Sequence, residues 1–92
     1  MKVWFVKENT FANNRIIVCA SKEDAEEKFF EIVEEIVTVS HYIHNFKLDK
    51  QTKEDLLIDA EFNVEDDYVE IDSVEVANDV IKALAKGLWI YD

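Results

Sequence analysis

Hydrophobic positions along the chain follow several distinct patterns, and each predicts a different element. Residues 2–8 (KVWFVKE) are short, aromatic and β-branched, which predicts a strand. The Asn-rich stretch 9–14 (NTFANN) suits a turn. Residues 15–20 (RIIVCA) are apolar at consecutive positions, as in a strand covered on both faces. The two strands predict a β-hairpin.

Ser21 then opens a helical pattern. A serine N-cap followed by Glu23, Asp24, Glu26 and Glu27 puts acceptors and negative charge where the free amides and the helix dipole favour them. Ala25, Phe29, Ile32, Val33, Ile36 and Ile43 recur on one helical face, with Glu27, Glu31, Glu34 and Thr38 opposite. The pattern predicts a helix to near Asn45. The β-branched run 37–43 (VTVSHYI) predicts instead an end near Ile36 with a strand beyond it.

A polar loop is expected over 47–53. Beyond it, Leu56, Ile58, Ala60, Phe62 and Val64 alternate with Asp59, Glu61 and Asn63. Glu65, Asp66 and Asp67 form a turn, and a return strand over 68–72 sets Val69 and Ile71 against Tyr68, Glu70 and Asp72. A period of two on both strands predicts a half-buried antiparallel hairpin with one wet face. Asp72 or Ser73 is placed to cap a second helix over 74–86, with Ala77, Val80, Ala83 and Leu84 inward and Gly87 as its stop. Residues 88–91 (LWIY) read as a last strand or an apolar tail. The predicted order is ββαββα, with a final β if the tail pairs. This is an α+β fold, a small antiparallel sheet with two helices on one face.

Length adds that the chain, residues 1–92, is one domain, since 92 residues hold a single core. Charge changes the picture more. Twenty-one acids against 10 bases give a net charge of −11. Such a surface repels nucleic acid and anionic lipid, and its natural complement is a protein with a basic surface. No apolar stretch approaches the ~20 residues of a membrane span, and no leader pattern opens the chain, so a cytoplasmic location is expected. The lone Cys19 lies within an apolar run and is expected to be a buried small hydrophobe.

The acids are also segregated. No base stands between Lys53 and Lys82. On the predicted hairpin, alternate residues lie about 6.6 Å apart and neighbouring strands about 4.8 Å apart. Asp59, Glu61, Glu70 and Asp72 would therefore form a two-row array of carboxylates, with Glu65, Asp66 and Asp67 at its tip and Glu31 and Glu34 extending it from the helix. Solubility alone explains an acidic surface. Like charges facing across strands are nevertheless destabilising, and Asp and Glu are poor strand formers, so the array carries a cost that solubility does not require.

Other chemistry is thinly represented. Asp59, Glu61, Asn63, Glu65, Asp67 and Glu70 match the spacing of a calcium loop, but Val64 stands where that loop needs glycine, and strands rather than helices flank it. His41 and His44 lack a third ligand at helical spacing, so no metal site is expected. No phosphate loop, nucleophile elbow or zinc-protease motif is present; neither an enzyme nor a cofactor is expected. Trp89, Ile90 and Tyr91 are expected to add an edge strand or, alternatively, to form an association surface.

These features lead to the expectation of a small acidic binding protein. It would act as an inhibitor that occupies the basic nucleic-acid-binding surface of a partner, binding no nucleic acid or membrane itself. In size and charge the chain is similar to the DNA-mimicking proteins that phages direct against restriction or CRISPR machinery. The alternative expectation is a homo-oligomeric assembly protein, a homodimer at its simplest, whose acids serve only solubility.

Overall fold

The computed structural model describes residues 2–75 and the backbone of residues 90–91. The elements are β1 (Lys2–Asn9), β2 (Asn14–Cys19), α1 (Lys22–His41), α2 (Lys50–Asp59), β3 (Glu61–Val64), β4 (Asp67–Glu75) and β5 (Ile90–Tyr91). The strands form one sheet in the order β3-β4-β1-β2-β5, and every pairing is antiparallel. The α+β class and the antiparallel sheet are those the sequence pattern predicts.

The register explains the core. Val6 pairs with Ile17 on one side and Ile71 on the other, so three apolar residues line up across the sheet. Against this row α1 lays Ala25, Phe29, Ile32, Val33 and Ile36, all buried. Phe29, Val33, Val6 and Val69 are wholly enclosed at 0% exposure, and each fully buried side chain of this size stabilises the fold by about 1.5–3 kcal/mol. Cys19 is buried here as expected, and burial raises its thiol pKa, with Asp24 adding to the rise and Lys28 opposing it.

The first hairpin turns on Thr10. Its backbone N–H donates to the Asn13 carbonyl at 2.8 Å, and its hydroxyl oxygen accepts from the Asn13 and Ala12 amides, each at 3.3 Å. The Ser21 cap is also as predicted, its hydroxyl accepting from the Asp24 amide at 3.1 Å. The helix it opens ends between the two predicted limits, at His41, with Tyr42 in the left-handed region (φ 55°). Val37 packs against the core, which holds the β-branched run helical for one turn past Ile36. Ile43, expected on the inner face, lies past the helix and is exposed.

The largest correction concerns residues 50–60. They form α2, where the alternation predicts a loop and then a strand. Asp49 caps this helix by accepting from the Thr52 amide at 2.7 Å, and that bond holds the Asp49 carboxyl below its ordinary pKa. Lys50–Leu57 is built from good helix formers, and local propensity prevails over an alternation that only two apolar residues, Leu56 and Ile58, carry into the helix. Leu56 packs against the core, while Ile58 is 80% exposed. Ala60 (φ 56°) ends the helix, and its carbonyl accepts from the Ile71 amide at 2.9 Å, which starts the pairing that β3 continues.

β4 is longer than predicted and runs to Glu75, so Asp72, Ser73 and Val74 are strand residues paired with Phe5, Trp4 and Val3. The remainder of the predicted second helix lies outside the described residues. Ile90 and Tyr91 form the short strand β5 beside Ile17 and Ile16, at the edge of the sheet; Trp89 lies outside the described residues.

Candidate protein-binding surface

The predicted carboxylate array is only partly assembled. Asp59 closes α2 and stands off the sheet. Glu61 and Glu70 do face each other directly across β3 and β4. The Tyr68 hydroxyl mediates between them, 2.6 Å from Glu70 Oε2 and 3.4 Å from Glu61 Oε2. Its hydrogen bond to Glu70 raises the Tyr68 pKa well above the ordinary tyrosine value, with minor help from desolvation and from the charges of both glutamates.

A base from a distant part of the chain also enters this group. β1 is the neighbour of β4, and Lys7 pairs with Glu70 in the register. Its ammonium lies 3.5 Å from Glu70 Oε1 and 3.7 Å from Asp72 Oδ2. The stretch of sequence that lacks bases is therefore supplied with one by the fold. The cluster of Glu61, Glu70, Asp72, Tyr68 and Lys7 is part of the sheet's own side-chain pairing.

The other predicted carboxylates divide similarly. Asp67 Oδ1 accepts from the Phe11 amide at 2.8 Å and ties the two hairpin tips together. Glu65, in the left-handed region at φ 54°, and Asp66 are exposed at the turn; with Asn9, Thr10, Phe11 and Asp67 they border a shallow groove between the tips. Glu34 is structural: Oε2 accepts from the Leu48 amide at 2.8 Å and Oε1 lies 3.8 Å from Lys47, which fastens the loop after α1 to the helix. Glu31 is exposed and pairs with Lys28 at 3.0 Å.

The continuous acidic surface lies on α1. Glu23, Glu27, Glu31 and Glu35 follow one another at four-residue steps, and all four are exposed. Four residues of helix rise about 6 Å and overshoot a full turn by about 40°, so the row rises about 18 Å and winds about 120° round the helix. Among the described residues no base pairs with Glu23, Glu27 or Glu35. Two nearby lysines lie over aromatic rings, Lys22 at 5.6 Å from the Trp4 ring and Lys53 at 5.4 Å from the Phe30 ring. The sequence signal for this row was available in the four-residue spacing of the glutamates. The outward placement of Glu27 and Glu31 is part of the helical pattern, and the longer base-free interval from Lys53 to Lys82 masks the full row.

Among the described residues no group of His, Cys, Asp or Glu is arranged to hold a metal ion, and no helix is long and apolar enough to cross a membrane. His41 and His44 are both exposed. No known protein family matches this chain, and neither does any curated protein or solved structure.

Proposed function

We propose that the protein is a small acidic binding protein that occupies the basic, nucleic-acid-binding surface of another protein and blocks it. This is the mode of action of the DNA mimics that phages use against restriction or CRISPR systems. The observation that carries the reading is the row Glu23, Glu27, Glu31 and Glu35 on the outer face of α1, in which Lys28 engages Glu31 and the other three carboxylates have no base paired with them among the described residues. Phosphates along one DNA strand rise about 3.4 Å each, so the ~6 Å axial step between these carboxylates, which also wind about 40° round the helix per step, is comparable with the rise of two phosphates. A rigid helix presents these charges without ordering cost at the moment of binding. Glu65 and Asp66 at the hairpin tip add to the acidic surface; Glu61, Glu70 and Asp72 contribute less, because Lys7 and Tyr68 engage the latter group.

The test is capture from bacterial extract by the native chain and by a variant carrying Glu23→Gln, Glu27→Lys, Glu31→Lys and Glu35→Lys. Glutamine is used at position 23 because a cation in the first helical turn opposes the helix dipole. The native chain is expected to retain a nucleic-acid-binding protein, to release it at about 0.5 M salt, and to lower that protein's affinity for DNA. The variant is expected to retain none of it. Equal capture by both chains excludes the α1 row as the contact.

A further inference from the structure

The row on α1 does not end with its glutamates. The next four-residue step is Val39, exposed at 47%, and the step after it, past the helix end, is Ile43 at 43%. Between them Tyr42 stands 95% exposed, with its backbone in the left-handed region at φ 55°. The ridge of four-residue steps, which winds about 40° round the helix each time, thus passes from four carboxylates to Val39, and the exposed Tyr42 and Ile43 follow just beyond the helix end. The change in charge is as abrupt: from Ile36 to Leu48 the chain has no carboxylate, only His41, His44 and Lys47. A surface acid that served solubility would be expected just here, beside exposed apolar groups.

We propose that Val39, Tyr42 and Ile43 are the anchor of the same interface, and that the partner is a protein whose basic groove ends at an apolar pocket. The inference rests on the reading of the α1 row as a binding surface. Charge complementarity fixes the partner's chemistry along the row, and the exposed tyrosine fixes it at the end. Carboxylates steer the approach and set the association rate, whereas a desolvated aromatic group in a pocket slows dissociation. Nucleic-acid mimicry alone needs no such end, so the anchor is what separates one basic protein from another.

Two synthetic peptides test this against the full chain by fluorescence anisotropy: six arginines, and six arginines followed by three leucines. Six extended residues span about 20 Å, which matches the ~18 Å row, and three more reach the helix end. The leucine-tailed peptide is expected to bind at least about fivefold tighter than the plain one. That gain is expected to vanish in a Tyr42→Asn, Ile43→Ser variant, while binding of the plain peptide stays unchanged. Asparagine is used because it tolerates the left-handed backbone that alanine would strain; both positions are exposed, so the fold is retained. A gain that persists in the variant, or no gain at all, overturns the anchor and leaves the acidic row standing. If the plain peptide binds the native chain no better than the charge-reversed variant described above, the row itself fails and the anchor with it.

Discussion

At the scale of single residues, the most constrained group is Glu8. It is 3% exposed, facing Arg15 across the first hairpin, and both its oxygens are engaged. Oε1 accepts from Arg15 Nε at 2.8 Å and Oε2 from the Thr10 hydroxyl at 2.7 Å. A buried ion pair adds little over an apolar pair of the same shape, but loss of one partner strands a charge. Arg15→Ala is expected to cost about 3 kcal/mol, the low end for a broken buried pair, because Arg15 itself remains 24% exposed. The double change Glu8→Leu, Arg15→Leu is expected to cost clearly less than the single one. Urea denaturation of the three chains measures both, and equal losses for the single and double variants contradict the account. Nothing local in the sequence marks Glu8 as buried; it sits at the polar end of a strand that alternation leaves undecided. What buries it is a register that puts the only arginine opposite.

At the scale of elements, the sequence was legible where two signals agreed and misleading where one stood alone. For α1 the serine cap, the acidic first turns and the apolar stripe coincide, and Ala25 through Ile36 are buried as the stripe requires. The first hairpin is equally clear, because two apolar runs flank an asparagine-rich turn. Residues 50–60 carried competing patterns. Alternation of Leu56, Ile58 and Ala60 with polar neighbours continues smoothly into the true strand at Phe62 and Val64, so the helix boundary is hidden in a run of consistent parity. The weaker signal, Asp49 capping a stretch of helix formers, is the one the fold obeys. The two readings differ in a measurable way. A strand would place Leu56 and Ile58 on one face alike; the helix half-buries Leu56 against the core and leaves Ile58 exposed. Leu56→Ala is therefore expected to destabilise by about 2 kcal/mol and Ile58→Ala by no more than about 0.5 kcal/mol, as read from thermal or urea unfolding. Similar losses at the two positions contradict the helix.

At the scale of the whole molecule, what the sequence hides is proximity. The interval from Lys53 to Lys82 looks like an uninterrupted acidic face only while the chain is read in order. In the sheet β1 lies between β4 and β2, and Lys7 comes to rest between Glu70 and Asp72. The net charge of −11 still acts on the compact state through its own repulsion. Salt screens that repulsion, so the unfolding midpoint is expected to rise by several degrees between ~20 mM and ~500 mM sodium chloride. A midpoint that falls with salt shows instead that pairs such as Glu8–Arg15 and Glu70–Lys7 outweigh the excess of acid. The same addition of salt weakens the proposed association, so stability and binding are expected to move in opposite directions.

The central position of β1 also has a consequence for the way the chain comes into being. Its partner on one side, β2, follows after four residues of turn; its partner on the other side, β4, begins only at Asp67. During synthesis the first hairpin and α1 precede β4, and until β4 arrives one flank of β1 offers a row of unpaired amides and carbonyls bordered by Val3, Phe5 and Val6. An open flank of that kind is a template for another chain. Lys2, Lys7 and Glu8 interrupt it with charge, as gatekeepers do beside an unavoidable apolar strand. Lys7 thus has two successive duties: it guards an unfinished edge in the nascent chain, and once β4 has docked it becomes the counter-ion of the strand that closes that edge.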